Sequence, residues 1–171
     1  MPLLAITVLG HDRPGIIAET TGALADLGLN LEDSTMTLLR GHFAMTLITQ
    51  GEADAATVEE SLAGLTMDGT LSVAVREVPP EPMPSRTASY VLSVHGADRA
   101  GIVSSVTSVV AAVGGNITDL STRLVGDLYV LTAEVDLPAG TDDEALAESL
   151  RRTADGLGVT ATLSPLDSDD L

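Results

Sequence analysis

At 171 residues, 44% of them hydrophobic, the chain has enough apolar material for a packed core, and its net charge of −17 leaves no basic footprint for nucleic-acid phosphates or an anionic membrane. Its few aromatics, Phe43, Tyr90 and Tyr129, cannot build stacking platforms for single strands, and with no cysteine there is neither a disulfide scaffold nor a thiolate chemistry. The opening MPLLAITVLGHDRPG has no basic leader and no apolar run approaches a membrane span, so a cytoplasmic protein is expected.

The first predicted element is a short strand, LLAITVLG (3–10), in which apolar residues alternate or run together. A helix follows the loop HDRPG, with Pro14 expected in its first turn, where a missing N–H costs nothing. Ile16 and Ile17, Thr20, Ala23 and Leu24, and Leu27 recur at helical spacing, and Gly28 stands where a left-handed stop residue belongs. The stretch NLEDSTMTLLRGHFAMTLITQ reads as a hairpin turning at Arg40-Gly41, with Phe43, Met45 and Leu47 on one face of the returning strand. Its first strand alternates less cleanly, and a bulge near Asp33 is one reason to expect that. A second helix, capped by Asp54, buries Val58, Leu62 and Leu65, and a last strand alternates Leu71, Val73 and Val75.

The same order then repeats. SYVLSVHG (89–96) is a strand, and Ile102 and Val103, Val106, Val109 and Val110, and Val113 trace a helix stopped at Gly114. NITDLSTRLVGDLYVLTAEVD is a hairpin turning at Gly126-Asp127. A helix capped by Thr141 buries Leu146, Leu150 and Ala154, and Val159, Ala161 and Leu163 alternate in the closing strand. The register between copies holds residue by residue: Asp12, Arg13, Gly15, Ile16, Thr21, Ala25, Gly28, Asn30, Asp33 and Leu38 recur as Asp98, Arg99, Gly101, Ile102, Thr107, Ala111, Gly114, Asn116, Asp119 and Leu124. Duplication of a unit of roughly 75 to 80 residues follows.

The expected fold class is therefore α+β: two ferredoxin-like βαββαβ sandwiches, each an antiparallel sheet with two helices on one face. The first unit is expected over 1–79 and the second over 88–166, with a proline-rich linker at 80–87 and an acidic tail at 167–171. Polyproline II at about 3.1 Å per residue would let the linker stretch PPEPMPSRT span roughly 25 to 30 Å.

The repeated loop has a chemistry of its own. It feeds a helix whose first N–H groups, at Gly15, Ile16 and Ile17 and again at Gly101, Ile102 and Val103, suit a carboxylate. Glycine allows close approach to the backbone. Asn30 and Asn116, expected where the second strand begins beside that loop, offer an amide oxygen to an ammonium group and an amide hydrogen to a carboxylate.

The stretches HDRPGIIAETTGALADLGLNLEDS and ADRAGIVSSVTSVVAAVGGNITDLS resemble the ACT domain, a small-molecule sensing module of amino-acid metabolism. As a tandem pair the chain resembles the glycine cleavage system transcriptional regulators. That resemblance implies a regulatory protein without catalytic activity that binds a small amino acid, glycine or serine first, between two ACT units and signals to a partner protein as a homodimer. Carried over, it nominates Asp12, Arg13, Pro14, Gly15, Ile16, Asn30 and Leu31, with Asp98, Arg99, Ala100, Gly101, Ile102, Asn116 and Ile117, as ligand contacts. The copies differ at Pro14 against Ala100 and at His11 against Ala97, so one site is expected to be the stronger.

Plainer roles stay open for the same residues: Asp12 and Asp98 as helix caps, Arg13 and Arg99 as ion-pair partners, Asn30 and Asn116 as turn residues. A structural protein that assembles through ACT units without a ligand is the alternative reading. Three irregularly spaced histidines, His11, His42 and His95, make no metal signature, and His95 is expected to be partly buried. No phosphate loop, nucleophile elbow or dinucleotide fingerprint is present, so neither catalysis nor a cofactor is expected.

Overall fold

A computed structural model describes residues 2–81 and 88–166. The chain divides into two compact units, Met1–Pro82 and Met83–Leu171. The linker stretch from residue 82 to 87 and the tail at 167–171, with the conformations expected of them, lie outside the described residues.

In the first unit β1 (Leu3–His11) leads to α1 (Ile16–Asp26), β2 (Asn30–Leu39), β3 (His42–Gln50), α2 (Ala55–Ser61), α3 (Ala63–Thr66) and β4 (Leu71–Val78). The second unit runs β5 (Ser89–Ala97), α4 (Ile102–Ala112), β6 (Asn116–Val125), β7 (Leu128–Asp136), α5 (Asp143–Gly156) and β8 (Val159–Pro165). Each sheet is antiparallel, in the orders β2-β3-β1-β4 and β6-β7-β5-β8. These are the two ferredoxin-like sandwiches expected from the repeat.

Period-two burial places one face of each sheet under the helices. Leu4, Ile6 and Val8 of β1, with Phe43, Met45 and Leu47 of β3, pack on Ile16 and Leu24 of α1 and on Val58, Leu62 and Leu65. Leu92, Val94, Leu131, Ala133 and Val135 meet Ile102, Val106, Val110, Leu146, Leu150 and Ala154 in the second core. Apart from Phe43 the fully buried residues of these cores are aliphatic, Met or Ala, with Tyr90 and Tyr129 packed half-buried against the second, so close packing of branched side chains carries most of the stability.

Three helix boundaries and one strand residue correct expectations. Pro14 lies in the turn ahead of α1, because Gly15 at φ 95° is the N-cap and the helix begins at Ile16. The second helix of the first unit is broken at Leu62 into α2 and α3, with the poor helix former Gly64 just past the break, whereas α5 runs unbroken. Asp142, not Thr141, caps α5 by accepting from the Ala145 amide at 2.9 Å, while the Thr141 hydroxyl donates to the Pro138 carbonyl. His95 is exposed, since it falls on the face of β5 away from the helices. The expected cap at Asp54 is present, accepting from the Thr57 amide at 2.8 Å.

Both first helices end as Gly28 and Gly114 suggest. Gly28 (φ 70°) and Leu29 donate to the carbonyls of Ala25 and Leu24, and Gly114 (φ 74°) and Gly115 donate to those of Ala111 and Val110. This paired closure turns each chain into its edge strand. There the register shifts between Leu31 and Asp33 and between Ile117 and Asp119, leaving Glu32 and Thr118 as the extra bulge residues. The irregular alternation of β2 has a second cause in its edge position, where every residue but Thr37 is exposed.

Candidate functional site

The loop from His11 to Gly15 is built by two glycines with different tasks. A Cβ at Gly10 would sit 2.0 Å from the Thr70 carbonyl oxygen, so glycine there lets β1 lie against the start of β4. Gly96 does the same against Val159, where a Cβ would meet Cγ1 at 2.8 Å. Gly15 and Gly101, at φ 95° and 92°, instead turn the backbone into the helix, a left-handed conformation that side chains strain to adopt.

That turn leaves the helix starts open. No side chain caps α1 or α4, whereas Asp54 and Asp142 cap α2 and α5. Asp12 and Asp98 therefore do not act as caps. The first-turn amides of α1 and α4 are left to solvent or a ligand, with the positive end of the helix dipole behind them. Beside the α1 start lies a pocket of about 530 Å³ bounded by Asp12–Ala18, Met36 and Phe43. It falls within the size range of small-ligand clefts.

Arg13 borders this opening with its charge already engaged. Its guanidinium makes a two-point ion pair with Glu19, both N–H···O distances being 2.8 Å. The hydrogen bond to Glu19 is the chief reason the Arg13 pKa is raised, and the same bond holds the Glu19 carboxyl below its ordinary value. Asp68 adds a smaller attraction on Arg13. In the second unit Ser105 and Gly156 take the places of Glu19 and Asp68, and Arg99 makes no ion pair among the described residues, lying instead against the Gly158 turn. The two loops share a backbone and differ in charge.

Asn30 does not stand beside the loop of its own unit. It pairs with Gln50, which pairs with Leu3, whereas His11 pairs with His42 at the other end of the same strands. Eight steps of strand, about 26 Å, separate the two ends. α1 runs back along the sheet before β2 begins, which is why adjacency in the pattern does not become adjacency in space. Asn30 donates to Glu32 at 2.8 Å, and Asn30, Leu31 and Asn116 are exposed while Ile117 is half-buried.

Of the loop residues expected at the site, Asp12, Arg13, Pro14, Gly15 and Ile16 border one pocket, with Ile16 itself buried. Asp98, Arg99, Ala100 and Gly101 are exposed around the equivalent helix start, above a buried Ile102. Ala18, Met36 and Phe43 were not foreseen as lining, and Ile17 was foreseen only for its backbone N–H. The doublet Ile16-Ile17 held a clue, because two adjacent helical positions cannot both face the core: Ile17 is 45% exposed and supplies the apolar wall. A second depression of about 700 Å³ in the first unit is lined by Glu52, Asp54 and Glu77 among others, a charge that repels a carboxylate.

The ACT-domain family model matches residues 2–75 and 89–164. The chain belongs to the ACT-domain family, with two domains in tandem. The glycine cleavage system transcriptional repressor of Escherichia coli K12 is 32% identical over 123 residues, which is 70% of this chain and 64% of that protein, so the similarity spans just under two thirds of the relative's length. A crystal structure of a protein of unknown function from Galdieria sulphuraria superposes with a TM-score of 0.80 at 27% identity, covering 97% of this chain and 99% of that one. A candidate glycine cleavage system transcriptional repressor, at 20% identity and a TM-score of 0.73 over 98% of both chains, has the same fold. Among the described residues no helix of this ACT protein is long and apolar enough to cross a membrane, and no three His, Cys, Asp or Glu side chains converge on a metal position.

Proposed function

We propose that this tandem ACT protein is a non-enzymatic cytoplasmic regulator that binds a small α-amino acid, glycine or serine first, and reports it to a partner protein in transcriptional control. The observation that carries this reading is the uncapped α1 start at Gly15 beside a pocket with Asp12 on its rim. The backbone amides take the carboxylate and Asp12 takes the ammonium group, the two complementary partners that a free amino acid requires. With Arg13 committed to Glu19, the amides rather than a guanidinium hold the carboxylate in the first unit. Family membership and similarity to a glycine cleavage repressor make glycine the first candidate.

Asn30 joins such a site only from a second ACT unit. Antiparallel pairing of edge strand β2 with the β2 of another unit would carry Asn30 of one to the loop end of its neighbour, and a homodimer supplies such a pairing. Exposed Leu31, Met36, Leu38 and Leu39 on β2 give that edge apolar surface to bury, which also favours the second reading, an assembly protein with no ligand. Ligand bridging two units shifts their arrangement by its differential affinity, and the partner reads the arrangement. The acidic surface directs that signal to a protein rather than to DNA.

Calorimetric titration of the whole chain with glycine, serine and then the remaining amino acids tests this, with thermal stabilisation followed in parallel. Saturable heat with one ligand is expected. Silence across the set, with a stable oligomer present, would favour assembly alone, and turnover of any amino acid would end the non-enzymatic reading.

A further inference from the structure

His11 and His42 lie 31 positions apart in sequence, yet they are direct cross-strand partners where β1 ends and β3 begins. Their ring centroids are 5.2 Å apart with planes inclined at 38°, and both side chains are exposed. Facing residues on neighbouring strands are held at nearly constant separation by the ladder, so this proximity is a property of the backbone as well as of the rotamers. With metal–nitrogen bonds of about 2.0–2.1 Å and ring centroids about 1.1 Å further back, a tetrahedral bite holds two imidazoles about 5 Å apart. The observed spacing matches that bite.

We propose that His11 and His42 form a two-histidine chelating site for a late first-row divalent metal ion at the foot of the β1–α1 loop. Imidazole nitrogen suits zinc(II), whose tetrahedral preference this bite meets directly, and also copper(II), which binds imidazole more tightly but whose square geometry asks the rings to close to about 4.5 Å. No third His, Cys, Asp or Glu completes a set among the described residues, so water fills the remaining positions. The net charge of −17 concentrates dications near the surface. A bound ion ties the end of β1 to the start of β3 directly before Asp12, whose amide donates to the Gly41 carbonyl at 3.1 Å across the same junction. It would therefore brace the first loop only. In the second unit the paired residues at this place are Ala97 and Leu128, which cannot ligate. The site stands apart from amino-acid binding and survives if that reading fails.

The test is titration of the full chain with copper(II) and, separately, zinc(II) in a non-coordinating buffer, comparing wild type with His11→Ala, His42→Ala and His95→Ala. One saturable 1:1 event is expected in wild type and His95→Ala, at least tenfold weaker in each of the other two, with melting curves showing all four folded. Zinc should shift the imidazole NMR resonances of His11 and His42 in the wild-type chain and leave those of His95, so the assignment does not depend on the variants. Equal binding in all four proteins would assign the metal to surface carboxylates and overturn the proposal, as would the lack of any saturable event.

Discussion

Asn30 and Asp12 stand at opposite ends of one sheet, Asn30 in the rung Asn30–Gln50–Leu3 and Asp12 just beyond the rung Leu39–His42–His11. No rotation of side chains closes a gap of about 26 Å. A ligand that uses both must take them from two ACT units. Replacing Asn30 by Leu should then weaken amino-acid binding at least tenfold with the oligomer size and melting temperature unchanged. Calorimetry and light scattering on the variant check this, and normal binding would remove Asn30 from the site.

Gly10 and Gly96 occupy equivalent places but face different neighbours. A Cβ at Gly10 meets main chain, the Thr70 carbonyl oxygen at 2.0 Å, while at Gly96 the nearest atom is a side-chain methyl of Val159 at 2.8 Å. Gly10→Ala should cost about 3 kcal/mol or more, at or beyond the usual upper end of overpacking, and Gly96→Ala less, since the nearest main-chain atom there, the Val159 Cα, stands 3.0 Å away. Urea unfolding of both variants decides it; equal losses would show that β1 and β4 can part as easily as Val159 can turn.

The Arg13–Glu19 pair predicts a pH dependence. Glu19 lies below its ordinary value of 4.5, chiefly through the hydrogen bond from Arg13, so the folded chain holds that proton more weakly than the unfolded one. The stabilisation is full above 4.5 and is lost as pH falls through the lowered folded value. The melting-temperature gap between wild type and Glu19→Gln should stay constant from neutrality down to 4.5 and narrow only below it, as the lowered folded value is crossed. A gap independent of pH would mean that the ion pair does not act on stability.

Capping at the second unit separates two adjacent residues. Asp142→Ala removes the acceptor for the Ala145 amide and should cost about 0.5–2 kcal/mol. Thr141→Ala loses only a hydroxyl contact with the Pro138 carbonyl and should cost less. Denaturant midpoints of the two variants test the order.

Much of this fold was legible because its signals are local. Alternation in LLAITVLG, helical spacing from Ile16 to Leu24, a stop at Gly28 and a hairpin turn at Arg40-Gly41 each depend on a few neighbours, and repetition of the whole series in the second unit made the reading secure. Where candidates stood side by side the pattern fell short: it left Ile16 and Ile17 together on the core face, and it placed the cap of α5 at Thr141 instead of its neighbour Asp142. Those choices depend on the phase of a helix against its sheet, which packing sets.

The sequence by itself determined the duplication, the βαββαβ order and the place of the glycine-bearing loop that starts each first helix, since glycine, proline and apolar spacing act over a handful of residues. Only the tertiary structure decided that Arg13 spends its charge on Glu19, that His11 meets His42, and that Asn30 lies a sheet's length from the loop it was expected to join. The first depends on how the loop folds back on the helix it starts, and the other two on strand order and register. Both are settled when the whole core packs, because a strand's own residues specify which face is buried and leave open which strand lies beside it.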